Sequence, residues 1–207
     1  MGLFKVAGVL MDEVPGCWTN QCSVIKYKGQ WYLFYHHNDL SPHFDKNRSV
    51  RIDSLFFNKD GTIKKVIPTL RGVGITDAAR KIQIDRYSLK SKEGASVTFL
   101  DTSNTFGGWK TILDKPDAWI KYNGVDFRNP GIKSINVRVL SKTGGTLQIR
   151  LDKVDGPVIA AVAIPKSNEW SVITSSLSRY EAGIHNLIVQ LKSNDPTRRI
   201  EIDWVKF

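Results

Sequence analysis

The chain has 207 residues, 41% of them hydrophobic and 10% aromatic, and 30 Lys and Arg against 20 Asp and Glu leave a formal charge of +10. That is enough apolar content for a core in one large or two small domains, and nothing approaches the roughly 18 consecutive apolar residues of a membrane-spanning helix. The basic excess runs along the chain without a cluster or stripe, which suits a solvated basic surface first and a polyanionic partner, nucleic acid or acidic polysaccharide, second.

The opening MGLFKVAGVLMDEVPG has too short an apolar run for a signal peptide, and Val6 stands where N-myristoylation wants a hydroxyl. Cys17 and Cys22, in CWTNQC, lack the second pair that a four-ligand zinc site needs. They are read as a local disulfide or as two buried thiols. From there the pattern has period two. SVIKY, QWYLFYH, SVRIDSLFF and TIKKVIP are read as about four short antiparallel strands within residues 4–70, with turns at Lys28-Gly29 and Lys59-Asp60-Gly61. WYLFY offers aromatic side chains to both faces. Such a sheet cannot bury itself and looks like one blade of a propeller, made to lie between neighbours.

The Gly-rich stretch TLRGVGITDAARK, residues 69–81, separates this pattern from a second one, so domains are expected at 1–76 and 81–207. The second holds VTFLD, AWIKYNGVDF, SINVRVLS, TLQIRLDKV, VIAAVAIP, WSVITSSL, GIHNLIVQLKS and RIEIDWVKF, spaced by Gly, Pro, Asn and Ser. Eight or so short strands at such intervals predict a β-sandwich. No convincing ten-residue helix occurs, so the fold class is all-β.

Three of the four histidines, His36, His37 and His43, lie in QWYLFYHHNDLSPHFDKNRSVRID, residues 30–53. Adjacent residues of a strand point to opposite faces, so these three are not expected to hold a metal ion by themselves.

Two resemblances follow from these stretches. CWTNQCSVIKYKGQWYLFYHHNDLSPHFDKNRSVRIDSLFFNKDGTIKKV resembles the C-terminal blade of glycoside hydrolase family 43, whose members are five-bladed β-propellers that remove arabinofuranosyl or xylosyl residues from plant polysaccharides. Residues 81–207 resemble a carbohydrate-binding module of family 6, through IQIDRYS, DAWIKYNGVDF, VAIPKSNEWSVIT, AGIHNLIVQL and EIDWVKF. Together they imply a jelly-roll β-sandwich preceded by one antiparallel propeller-like blade. Inverting hydrolysis needs carboxyls on both sides of the scissile bond, and by resemblance these come from earlier blades. Asp12, Glu13, Asp39, Asp45 and Asp53 match no catalytic position, so the chain is not expected to be a complete hydrolase. The resemblance puts His36 near the propeller axis and aims Arg48 at the sugar pocket, as a remnant of the hydrolase site.

The family 6 resemblance implies a loop cleft in which two aromatic rings grip one sugar while an Asn binds its hydroxyls. Trp170 falls on one aromatic position. The other, usually Tyr, falls on Ile112 or Leu113, and the Asn position is Glu201. Trp109 is expected to stand in for the missing Tyr. Glu201 is expected to accept hydrogen bonds from hydroxyls and to repel an acidic sugar. Trp119 matches the tryptophan of members that bind glycan on a sheet face, and Trp204 is expected in the core. A structural calcium ion is also implied, held by Gln83, Asp85 and Asp203 with backbone carbonyls. Gln83 and Asp85 are expected to share one side of a strand.

The expected function is carbohydrate binding, to a xylan or arabinoxylan-type glycan, as the accessory module of a truncated glycoside hydrolase. The alternative is a non-catalytic fragment of an arabinofuranosidase or xylosidase, in which the module only buttresses the propeller. The expected partners are a poly- or oligosaccharide, and missing blades or a second copy to cover the blade. Neither nucleic acid nor membrane is expected, and the parent enzyme is expected to be secreted or periplasmic.

Overall fold

The computed structural model describes residues 5–12, 21–38, 49–129 and 131–207. The chain divides into two units, Met1–Val73 and Gly74–Phe207. The boundary precedes residue 81 because Thr76–Asp77 already pairs with a strand of the second unit.

In the first unit β1 (Cys22–Tyr27), β2 (Gln30–His37) and β3 (Ser49–Leu55) form an antiparallel sheet in that order. Lys28 and Gly29 take φ of 47° and 84°, the pair of positive angles that lets a two-residue hairpin follow the strand twist. Along β2, Leu33, Tyr35 and His37 are buried while Tyr32, Phe34 and His36 are half-buried. Leu33, Tyr35, Leu55 and Val66 make a small core, with Leu10, Met11 and Trp31 against it. Buried Asp53 ties this core together. It accepts hydrogen bonds from the Tyr35 hydroxyl at 2.5 Å, the Thr69 hydroxyl at 2.7 Å and the Thr69 amide at 3.1 Å.

TIKKVIP is not the expected fourth strand. After the turn closed by the Asn58 amide on the Thr62 carbonyl, Ile63 makes one bridge to Phe57. The Val66 amide then turns to the Leu10 carbonyl, at 2.8 Å, beside a parallel bridge to Met11. The segment is drawn away by residues 10–11 before a ladder forms. Cys22 is exposed rather than buried, and Cys17 lies outside the described residues.

The second unit is the expected β-sandwich. Its strands are β4 (Thr76–Asp77), β5 (Leu89–Lys90), β6 (Ala95–Phe99), β7 (Trp109–Leu113), β8 (Trp119–Asp126), β9 (Ser134–Leu140), β10 (Gly145–Leu151), β11 (Val158–Ile164), β12 (Ser171–Ser176), β13 (Ile184–Lys192) and β14 (Ile200–Lys206). One sheet runs β11-β10-β13-β8-β4, with β5 also on β8, and the other runs β12-β9-β14-β7-β6. The only helical turn among the described residues is the 3-10 turn Thr105–Gly107.

Alternation puts Leu147, Ile149 and Leu151 of one sheet against Ile135, Val137 and Val139 of the other, all buried. Two bulges break the period. In β8 the register slips opposite His185–Leu187, and Gly124, at φ 69°, absorbs the extra residue, so that Tyr122 and Val125 both reach the core. In β14 the slip falls between Ile202 and Trp204, so Ile202 and Val205 are both internal and Asp203 is the added residue. The sequence pattern missed β7, WKTIL. Its last three residues are all buried, and they include Thr111, so no alternation marks it.

Leu147→Ala removes a fully buried side chain from between the sheets and is expected to cost about 3 kcal/mol. Urea unfolding of the second unit measures it; a loss below about 1 kcal/mol contradicts this packing. In the first unit, burial and then the charges of Arg51 and His36 push the His37 imidazole from 6.5 down to about 4. The unfolded chain then binds that proton more tightly, so stability present above pH 6.5 is lost as pH falls toward 4. The unfolding midpoint of this unit is expected to fall across that window more steeply than in His37→Gln. Parallel pH profiles for the two proteins contradict the assignment.

Candidate functional site

The chemistry-bearing side chains of the sandwich lie on the two outward faces, because the inward ones are taken by the core. On the β12-β9-β14-β7-β6 sheet, Glu201 stands opposite Ile112 on one side and Leu140 on the other. Its Oε2 lies 2.8 Å from Lys110 Nζ, and its Oε1 accepts from Nε and Nη2 of Arg199 at 3.2 Å. Burial alone would raise the Glu201 carboxyl, but Lys110 and Arg199 outweigh it and hold the group below the usual carboxylate range. One strand further, Arg138 pairs with Asp203. Trp170 completes the cluster: the Arg138 guanidinium lies 5.0 Å from its ring centroid and Lys110 Nζ 5.9 Å. Both oxygens of Glu201 are therefore held by cations, and two cations lie over the Trp170 ring.

Trp109 does not join this cluster. It stacks on Phe99, with ring centroids 4.0 Å apart, and lies three residues, or about 10 Å, along β7 from Ile112. The position expected to be aromatic is filled by buried Ile112 and Leu113, so among the described residues Trp170 has no second ring there. Trp204 is not in the core. The bulge at Asp203 turns it outward, where Lys81 Nζ lies 4.6 Å from its ring.

The other outward face is built differently. Trp119 of β8 pairs with Gln190 of β13, which pairs with Gln148 of β10, which pairs with Ala161 of β11. The next row is Lys121, Ile188 and Arg150. The Gln190 amide group is nearly buried and donates to the Asp117 carbonyl at 3.4 Å. Trp119 is half-buried, and among the described residues no aromatic ring or cation is stacked on it. Ala161 and Ala163 are exposed and leave the β11 end of the row low.

Gln83, Asp85 and Asp203 are only partly brought together. The Arg86 amide bonds the Gln83 carbonyl at 3.2 Å, so residues 83–86 form a turn instead of a strand. Gln83 is exposed and Asp85 is 4% exposed, so the two do not share a side. Ile82 bridges Val205, which brings this turn to the last strand. Asp85 Oδ1 is buried with no hydrogen-bond partner. Burial, reinforced by the nearby Asp203 charge, pushes its carboxyl up to about 6. Among the described residues no three His, Cys, Asp or Glu side chains converge on one point. The orphaned carboxylate oxygen beside a second carboxylate and turn carbonyls still fits a hard cation that takes oxygen ligands.

In the first unit His36 is half-buried on the face opposite His37, and its Nδ1 receives the Gln21 amide at 3.4 Å. Arg48 and His43 lie outside the described residues. The sequence reading missed Lys110, Arg138, Gln148, Arg150 and Gln190. Each is a polar residue inside an apolar strand, as in NVRV, LQIRL and LIVQL, which is the only signal they leave.

The family model described as carbohydrate binding module (family 6) matches residues 88–207. The arabinoxylan arabinofuranohydrolase of Bacillus subtilis (strain 168) is 25% identical over 224 residues, an alignment that covers 100% of this chain and 43% of that protein. A crystal structure of a glycoside hydrolase family 43 arabinoxylan arabinofuranohydrolase from Bacillus subtilis superposes with a TM-score of 0.64 at 22% identity, over 100% of this chain and 45% of that one. A β-1,3-glucan binding family 6 module from Bacillus halodurans superposes with a TM-score of 0.57 at 24% identity, over 65% of this chain and 98% of that one. The chain spans less than half the length of the curated relatives it matches along most or all of its extent. With the matched residues making up more than half of its length, the chain belongs to carbohydrate binding module family 6.

Proposed function

We propose that the module binds a xylan-type plant cell-wall glycan through the outward face of the β11-β10-β13-β8 sheet. Trp119 is the stacking platform, and the half-buried Gln148 amide in the same row meets the sugar hydroxyls. One observation carries the reading. Of the four described tryptophans of the sandwich, Trp119 is the one whose ring is claimed by neither an aromatic nor a cation; Trp109, Trp170 and Trp204 each have such a partner. The relatives' activity on arabinoxylan supports the substrate class, as does a family 6 module from Clostridium cellulolyticum solved in complex with xylose. A second reading keeps the glycan at Trp170, which is half-exposed, with Glu201 and Trp109 as its helpers. It requires a sugar to displace Arg138 and Lys110 from the ring.

The first unit is the last blade of a family 43-like propeller in this reading. The superposition of the whole chain, first unit included, on a glycoside hydrolase family 43 structure supports it. His36 and Arg48 are then remnants of a hydrolase pocket. The module supplies binding, the blade is covered by further blades or a second copy, and the parent enzyme works outside the cytoplasm. Asp85 and Asp203, with carbonyls of the 83–86 turn and without the outward-facing Gln83 side chain, hold a structural calcium ion, whose chemistry here is to neutralise two carboxylates and fix the turn to β14.

Two outcomes are expected. In calorimetric titration with xylohexaose, Trp119→Ala abolishes binding and Trp170→Ala changes affinity less than about threefold; the reverse pattern moves the site to Trp170. Calcium raises the melting temperature of the unmodified chain by about 3 °C or more, and Asp85→Asn removes that response. An unmodified chain that melts at one temperature with calcium and with chelator contradicts the calcium assignment.

A further inference from the structure

Arg150 stands at the centre of the Trp119 face. Its guanidinium is held by three neutral acceptors: Nε donates to Gln190 Oε1 at 3.1 Å, Nη2 to Gln148 Oε1 at 2.8 Å and Nη1 to the Gly156 carbonyl at 2.7 Å. The loop that brings in this carbonyl is shaped for the purpose. A Cβ at Gly156 would lie 2.1 Å from the Leu151 carbonyl oxygen, so only glycine fits there.

Other arginines of the sandwich face carboxylates: Arg128 faces Asp126, Arg138 Asp203, Arg198 Asp195 and Arg199 Glu201. Arg150 is half-buried, and among the described residues no carboxylate lies within ion-pair distance of it. Asp152 does not serve, because its carboxylate is engaged by His185 at 2.8 Å and the Asn186 amide at 3.0 Å. A guanidinium has five N–H donors in a planar fork, so two remain beyond those used here. Lys121 stands in the same row, across Ile188, and adds a second positive charge, one that also acts on the Asp152 carboxylate. Trp119 is two strands away, about 10 Å.

We propose that this face selects an acidic glycan: a neutral sugar stacks on Trp119 while the carboxylate of a uronic acid on the same chain pairs with the two outward N–H groups of Arg150, with Lys121 beside it. The inference rests on the Trp119 reading given above. The three neutral acceptors hold the fork in place without neutralising it, so an incoming carboxylate meets a rigid, partly desolvated cation. The formal charge of +10 favours the same class of ligand at long range.

The test titrates the whole chain at low salt with a xylo-oligosaccharide bearing a glucuronic acid branch and with the neutral oligosaccharide of the same backbone length. The acidic ligand is expected to bind about tenfold more tightly, and the preference to shrink as salt is raised. Arg150→Gln is expected to bring the affinities for the two ligands together, with the unfolding midpoint as the check on folding. Lys121→Gln, which breaks no hydrogen bond within the face, is expected to reduce the preference by a smaller factor. Equal affinities for the two ligands, or a preference that survives Arg150→Gln, overturn the uronic acid proposal and leave glycan binding at Trp119 standing. Binding of neither ligand overturns both.

Discussion

The sandwich has one inner and one outer face on each sheet, and strand alternation assigns every side chain to one of them. Leu147, Ile149 and Leu151 face inward, so Thr146, Gln148 and Arg150 face outward. All binding chemistry must then come from the outward positions and the loops. The two outward faces have diverged. Around Trp170 the positions are filled by two sets of ion pairs, Arg138 with Asp203 and Lys110 and Arg199 with Glu201, and one cation of each set lies over the ring. Around Trp119 they are filled by amides, small residues and one arginine with no acid. A sugar needs a bare ring face and reachable polar groups. The second arrangement leaves its ring bare, and the first has already covered its ring with its own cations.

The period-two pattern made the architecture of the sandwich legible, because most stretches that alternate cleanly are strands in the fold. It failed where the period itself breaks. The β14 bulge adds Asp203 and turns Trp204 outward, although IDWVKF reads as a run for the core. WKTIL, with Thr111 buried among apolar neighbours, shows no alternation. IQID looks like a strand, yet residues 83–86 form a turn, so Gln83 and Asp85 separate. In the first unit, Val66 bonds to residue 10 instead of extending the sheet.

The candidate site was less legible than the fold. Trp119 and Trp170 stood out as aromatic residues in matching motifs, but only the contacts of each ring distinguish them. Arg150 and Gln190 were invisible in the sequence. Their meaning comes from register: β10 and β13 must be laid side by side before the arginine of LQIRL meets the glutamine of LIVQL. The loss of the aromatic at Ile112 and of the Asn at Glu201 was readable. Its consequence, two ion-paired cations over Trp170, was not, since Lys110 and Arg138 arrive from two other strands.

The central claim is that the ring of Trp119 is the one that meets sugar. It is tested most directly by following the indole N–H signals of the 15N-labelled chain while xylohexaose is added. The account predicts that the Trp119 signal shifts progressively to saturation while those of Trp170 and Trp109 stay in place. A saturating shift of Trp170 with Trp119 unmoved would contradict it and return the glycan to the loop cleft.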